Sequence, residues 1–274
     1  MTRIGCGLLI VLGLFAVPAA HAQSMNIVIG PAGLTPPDTY AAAGTAGFWN
    51  GINTANGSTT TNLRDLNGTV TPVSVNQFGG TQVLNFNDAA TFGDDETLMD
   101  HCLLTFTPNL ETCLFINNLQ NGRYEVLIYA WMPGQPAVRS FTNCDEETGN
   151  PHLIIGGAWP GHHEESVTYA RHIANVTTGL LRTHSGIVPG DNPALGAAMN
   201  GIQIRKIPPT IRGDMNCDGL INGRDVGPFV QAVIDPDAYQ DDYPACTLAA
   251  GDMNNDTLVN AADTDNFVVK LLAQ

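Results

Sequence analysis

The sequence predicts a mainly β chain: a jelly-roll-type β-sandwich over residues 23–207, then a small helical unit over residues 213–274. Three observations carry this reading. Residues 23–207 hold short runs of period-two alternation, broken by Asn56-Gly57, Asn67-Gly68 and Asn121-Gly122 turn signals. They contain no long stretch of helical periodicity, and a segment of about 180 such residues suits one two-layer β architecture. Near the end, a polar loop running into an apolar helical stripe occurs twice.

Taken in order, residues 1–22 read as an export signal outside the fold. Arg3 supplies a basic start, Gly7 to Val17 an apolar run, and Ala20-His21-Ala22 a cleavage site before Gln23. The run is too short to span roughly 30 Å of hydrocarbon, so no membrane insertion is expected and the mature chain is read as secreted, extracellular or at the cell surface. The expected strands are Thr69–Val75, Gln82–Phe86, Cys113–Ile116, Tyr124–Trp131, His152–Ile155 and Gly201–Arg205. Ile207-Pro208-Pro209-Thr210 marks a break, and residues 208–212 are read as a linker.

Eleven Lys and Arg against 26 Asp and Glu give a formal charge of −15, and loss of Arg3 with the signal deepens it by one. Nucleic acid and anionic membrane need clustered cations, so neither is expected as a partner. Cys102, Cys113, Cys144, Cys217 and Cys246 follow the signal, and export permits disulfides. Spacing alone leaves the pairing open. Cys217 with Cys246 and Cys102 with Cys113 are the candidate pairs, leaving Cys144 free.

The repeats carry the clearest chemistry. Gly213-Asp214-Met215-Asn216-Cys217-Asp218-Gly219-Leu220-Ile221-Asn222 returns 38 residues later as Gly251-Asp252-Met253-Asn254-Asn255-Asp256-Thr257-Leu258-Val259-Asn260. Asp225 is followed by Phe229, Val230, Val233 and Ile234, and Asp263 by Phe267, Val268, Leu271 and Leu272, one helical stripe each. A twelve-residue loop wraps Ca2+ with oxygens from alternate positions. The first loop offers Asp214, Asn216, Asp218, the Leu220 carbonyl, Asn222 and Asp225. The second offers Asp252, Asn254, Asp256, the Leu258 carbonyl, Asn260 and Asp263. Two Ca2+ sites are expected, the first stronger, because Thr257 stands where the turn calls for Gly.

Duplicated loops that end in Asp, each followed by a helix and not preceded by one, resemble dockerin type I repeats. The resemblance covers residues 213–274. It implies a calcium-folded module that docks a secreted protein onto a cohesin-like scaffold or a cell-surface receptor, commonly in polysaccharide breakdown. It places partner selection at Gly223-Arg224 and Ala261-Ala262, where dockerins often carry hydroxyl side chains. A calcium-rigidified tail on a structural surface protein is the other reading of the same loops.

In the front segment no nucleophile, zincin or phosphate-loop motif occurs. The stretch from Asp145-Glu146-Glu147 to His162-His163-Glu164-Glu165, flanked by His152 and His172, offers a metal site or a glycosidase carboxylate pair, against solvated loops joining strands. Trp49 and Trp159, in loop-like contexts, are candidate sugar-stacking residues, whereas Trp131 lies in a strand and is expected in the core. The ending Asn200-Gly201-Ile202-Gln203-Ile204 is similar to the closing strand of galactose-binding-like or malectin-like sandwiches. The expected function is a non-catalytic secreted protein associated with polysaccharide. The alternative is a polysaccharide-active hydrolase or lyase with catalytic residues in the sandwich.

Overall fold

The computed structural model describes residues 23–30, 34–80, 82–107, 110–207, 210–243 and 246–273. The export signal 1–22 and the Pro208-Pro209 part of the linker lie outside the described residues. The first strands are β1 (Met25–Val28), β2 (Trp49–Gly51), β3 (Thr59–Thr60), β4 (Ser74–Phe78) and β5 (Gln82–Asn85). After helix α1 (Asp94–Met99) come β6 (His101–Thr105), β7 (Thr112–Asn117), β8 (Gly122–Tyr129), β9 (Arg139–Cys144) and β10 (Leu153–Gly156). The series closes with β11 (Tyr169–Val176), β12 (Leu180–Ile187), β13 (Ala197–Met199) and β14 (Gly201–Ile207).

These strands form a sandwich. One sheet has the order β11-β8-β14-β1-β2, the other β10-β9-β12-β7-β4-β3, and a small sheet β13-β6-β5 completes the set. The chain crosses between the two main sheets at β2/β3, β7/β8, β8/β9, β10/β11 and β11/β12. Period-two alternation explains the layering. In β7, Thr112, Leu114 and Ile116 are buried while Cys113, Phe115 and Asn117 face outward. Leu114 and Ile116 meet Val126 and Ile128 of β8, Leu181 of β12, and Ile202 and Ile204 of β14 in one core. Each such side chain contributes about 1.5–3 kcal/mol by leaving water.

Five of the six expected strands occur, shifted by a residue or two. The sixth, Thr69–Val75, is corrected: pairing begins only at Ser74, and Val70 makes an isolated bridge to Arg64. Pro72 has no N–H to give a ladder, which delays the strand.

The C-terminal segment holds α2 (Val226–Ile234), α3 (Pro236–Asp242) and α4 (Thr264–Leu272). Helix α3 was not anticipated by the repeat. It starts on Asp235, whose side chain accepts the Ala238 N–H, with Pro236 in the first turn. Phe229 and Phe267 stack with centroids 4.1 Å apart, and Met215, Ala232, Tyr239 and Ala250 close the core around them. The expected stripes are only partly buried: Val230, Ile234, Val268 and Leu272 face solvent. Cys217 and Cys246 form a disulfide. The expected Cys102–Cys113 bridge does not form. Cys102 is buried beside Leu104 and Met132, while Cys113 points out from the six-stranded sheet. Among the described residues, no helix is long and apolar enough to cross a membrane.

Candidate metal centres and ligand groove

The two repeated loops match bond for bond. Asp225 Oδ1 accepts the N–H groups of Met215 and Asn216 at 2.7 and 3.1 Å, and its Oδ2 accepts that of Asn222 at 2.8 Å. Asp263 takes the same three donors, Met253, Asn254 and Asn260, at 2.7, 3.1 and 3.0 Å. Asp214 accepts from Asp218 and Gly219, and Asp252 from Asp256 and Thr257. Asn222 and Asn260 each cap the turn that enters α2 or α4. These bonds explain the loop shape. Acidic side chains gather backbone N–H groups on one side and keep further lone pairs for another partner.

The donor chemistry fits Ca2+. Every side-chain candidate is a carboxylate or amide oxygen, the donor set a hard cation requires. Asp225 and Asp263 are fully buried, and among the described residues neither makes an ion pair with a basic side chain. Burial pushes the Asp214 carboxyl above its ordinary range; the Gly219 N–H opposes this, and Asp225 adds to it. The sharp turn falls on Gly219 at φ 87° and on Thr257 at φ 72°. Gly223, Arg224, Ala261 and Ala262 are all exposed at the entries to α2 and α4. Val226, Val230 and Ile234 line an apolar cleft of about 220 Å³ with Val268 and Leu271.

The acidic and His-rich stretches of the sandwich do not converge. Glu146 holds Arg182 at 2.8 Å, and Glu147 holds the buried His172 at 2.5 Å. Glu165 contacts Arg171 at 3.3 Å, and His163 sits 3.3 Å from Asp95 with Tyr40 against its Nε2 at 2.7 Å. Burial pulls the pKa of both His163 and His172 below the ordinary value, against the pull of Asp95 and Glu147.

Trp49 is corrected as a surface platform. It is only 2 % exposed, in β2, with its indole N–H on the Tyr40 carbonyl at 3.1 Å. Trp159 is half-buried and packs against Trp131 and His163 with centroids 5.5 and 5.4 Å away. Trp131 is buried as expected from its strand-like context. Around β2 and β3 lies an open groove of about 1050 Å³, walled by Phe48, Asn53, Thr54, Thr59, Thr61 and Asn62, with Trp49 in its floor.

Sequence reasoning did not find one further cluster. Among the described residues, a single set of three His, Cys, Asp or Glu side chains brings ligand atoms within 4.8 Å of one another: Glu111, Cys113 and His184. The carboxylates of neither repeated loop meet that criterion among the described residues. Burial lowers the His184 pKa, but Cys113 and Glu111 outweigh it and push it up to about 10.

No protein-family model matches the chain, and no curated protein matches it. Eleven chains of solved structures do. One structure, of the plant peptide RALF23 in complex with FER and LLG2, matches at 14% identity and TM-score 0.38, covering 70% of this chain and 43% of that one. The CBM36-1 domain of a multidomain xylanase from the hindgut metagenome of Trinervitermes trinervoides matches at 15% identity and TM-score 0.28, covering 48% of this chain and 95% of that one. CBM35 from Cellvibrio japonicus Abf62 matches at 12% identity and TM-score 0.28, covering 46% and 81%. The chain therefore spans less than half the length of the first of these and most of the other two.

Proposed function

We propose that this is an exported, non-catalytic protein whose C-terminal segment binds two Ca2+ ions and thereby docks the β-sandwich onto an extracellular protein scaffold of cohesin-like kind. The observation that carries this reading is the bond-for-bond repetition of the two loops around Asp225 and Asp263. One acidic loop has many uses, but two loops with the same oxygen positions and the same N–H traffic share one ligand chemistry. The exposed apolar cleft between α2 and α4 supports the docking role, since it lies beside Gly223-Arg224 and Ala261-Ala262. The sandwich would contribute polysaccharide binding. Its groove is walled by hydroxyl and amide side chains, the polar surface chemistry that sugars use.

Calorimetric titration of Ca2+ into the chelator-stripped chain tests the reading. Two sites are expected in the native chain, with one surviving in Asp225→Ala and one in Asp263→Ala. A native chain that takes up no Ca2+ overturns it. A polysaccharide panel scored for both retention and new reducing ends tests the sandwich: retention without turnover is expected, and turnover would replace binding with catalysis.

A further inference from the structure

The outer face of the six-stranded sheet carries a second centre, separate from the loops. Cys113 in β7 and His184 in β12 stand directly opposite each other in the antiparallel ladder, and Glu111 lies just before β7. Cys113 Sγ is 3.1 Å from His184 Nδ1, and Glu111 Oε2 is 3.0 Å from the same nitrogen. An imidazole nitrogen carries one proton at most, so it cannot serve both partners with a full hydrogen bond. Three side chains, each able to ligate a cation, therefore bring their ligand atoms within 4.8 Å of one another. The other ring nitrogen, Nε2, is buried without a hydrogen bond and lies 3.2 Å from Asp145 Oδ1.

We propose that Glu111, Cys113 and His184 form a three-ligand site for a thiophilic divalent cation of the zinc type, with Asp145 orienting the imidazole from behind. Thiolate, imidazole and carboxylate together select zinc over calcium or magnesium, which take oxygen donors. Zinc–ligand bonds of about 2.0–2.3 Å at tetrahedral angles place sulfur and nitrogen roughly 3.5 Å apart. The pair need separate by only a few tenths of an ångström from the observed 3.1 Å. A carboxylate behind a ligating His fixes its tautomer and raises its basicity. The local charge suits a cation: Glu111 and Asp145 both lie against His184, and the neighbouring Arg182 is shared between Asp145 and Glu146. Three protein ligands leave a fourth position for water or a small ligand, and Glu111 also walls a cavity of about 340 Å³ with Phe141 and His152.

The test uses the whole chain, stripped of metal, with Co2+ as the spectroscopic probe and Zn2+ as competitor. One equivalent of Co2+ is expected to give a sulfur-to-cobalt charge-transfer band that Zn2+ abolishes. Cys113→Ser and His184→Ala should lose the band, and Asp145→Asn should weaken binding about tenfold. Cys102→Ser, and Asp225→Ala in the calcium loop, should leave it intact. Absence of the band in the native chain, or its survival in Cys113→Ser, overturns the proposal. A second measurement needs no variant. Cys113 is the partly exposed thiol while Cys102 and Cys144 are buried, so one thiol should react with a disulfide reagent in the metal-free chain. One equivalent of Zn2+ should suppress that reaction, and an unchanged rate overturns the proposal as well.

Discussion

At the scale of single residues, Thr257 holds φ at 72° where its counterpart Gly219 holds 87°. A side chain in the left-handed region costs about 1–2 kcal/mol. Thr257→Gly is therefore expected to tighten the second Ca2+ site about fivefold or more, read by titration in an Asp225→Ala background. Unchanged affinity would contradict the strain. His172 makes a pH prediction. Burial holds its pKa below the ordinary value although Glu147 pulls the other way. The unfolded chain then binds the proton more readily, so stability falls as pH drops below about 6.5 and is restored as pH rises. His172→Asn should flatten the acid side of a melting-temperature profile, and an unaltered profile would refute this. The repeat of the loops was legible because their acidic and amide side chains recur at fixed local spacing. Cys113 and His184 were not, since 71 residues separate them and only the ladder brings them together. Trp49 was misread because its short segment looks like a loop, yet it pairs with β1 and is buried there.

At the scale of elements, β7, β8 and β14 showed themselves by apolar alternation, whereas β9, β11 and β12 did not. Their inward positions hold Thr142, His172, Thr183 and Ser185, all essentially buried. These satisfy one another or the backbone: Thr142 meets His172 at 3.0 Å, and the Ser185 hydroxyl donates to the Ala198 carbonyl at 2.6 Å. Buried polar groups with partners are tolerated, but they erase the pattern on which strand reading depends. Helices α2 and α4 were visible from their stripes, though the stripe hid a division of labour. Phe229 and Phe267 stack inside, while Val230, Ile234, Val268 and Leu272 remain outside. Phe229→Ala should destabilise the calcium-loaded segment by about 3–5 kcal/mol in denaturant unfolding. Val230→Glu should leave unfolding and Ca2+ uptake nearly unchanged while abolishing capture of the scaffold partner. Capture that survives this charge would move the docking face elsewhere.

At the scale of the whole molecule, two parts differ in what holds them. The sandwich has a continuous apolar core shared by two sheets. The C-terminal segment closes on a handful of side chains and one disulfide, around loops dense in carboxylates. A unit of some 60 residues buries too little surface for a large margin of stability. Ca2+ at 100 times its Kd adds about 2.7 kcal/mol per site, a large share of what such a unit has. This contrast was visible in the sequence as alternation in front and a duplicated acidic loop behind. The strand order, the hidden polar interior and the outer-face cluster were not, because each depends on residues distant along the chain. Hydrogen exchange of the full chain, with and without chelator, measures both parts at once. Chelation is expected to abolish amide protection across residues 213–273 while the β-sandwich keeps its own. Protection of the C-terminal segment that is the same with and without Ca2+ would contradict the central claim that calcium folds it.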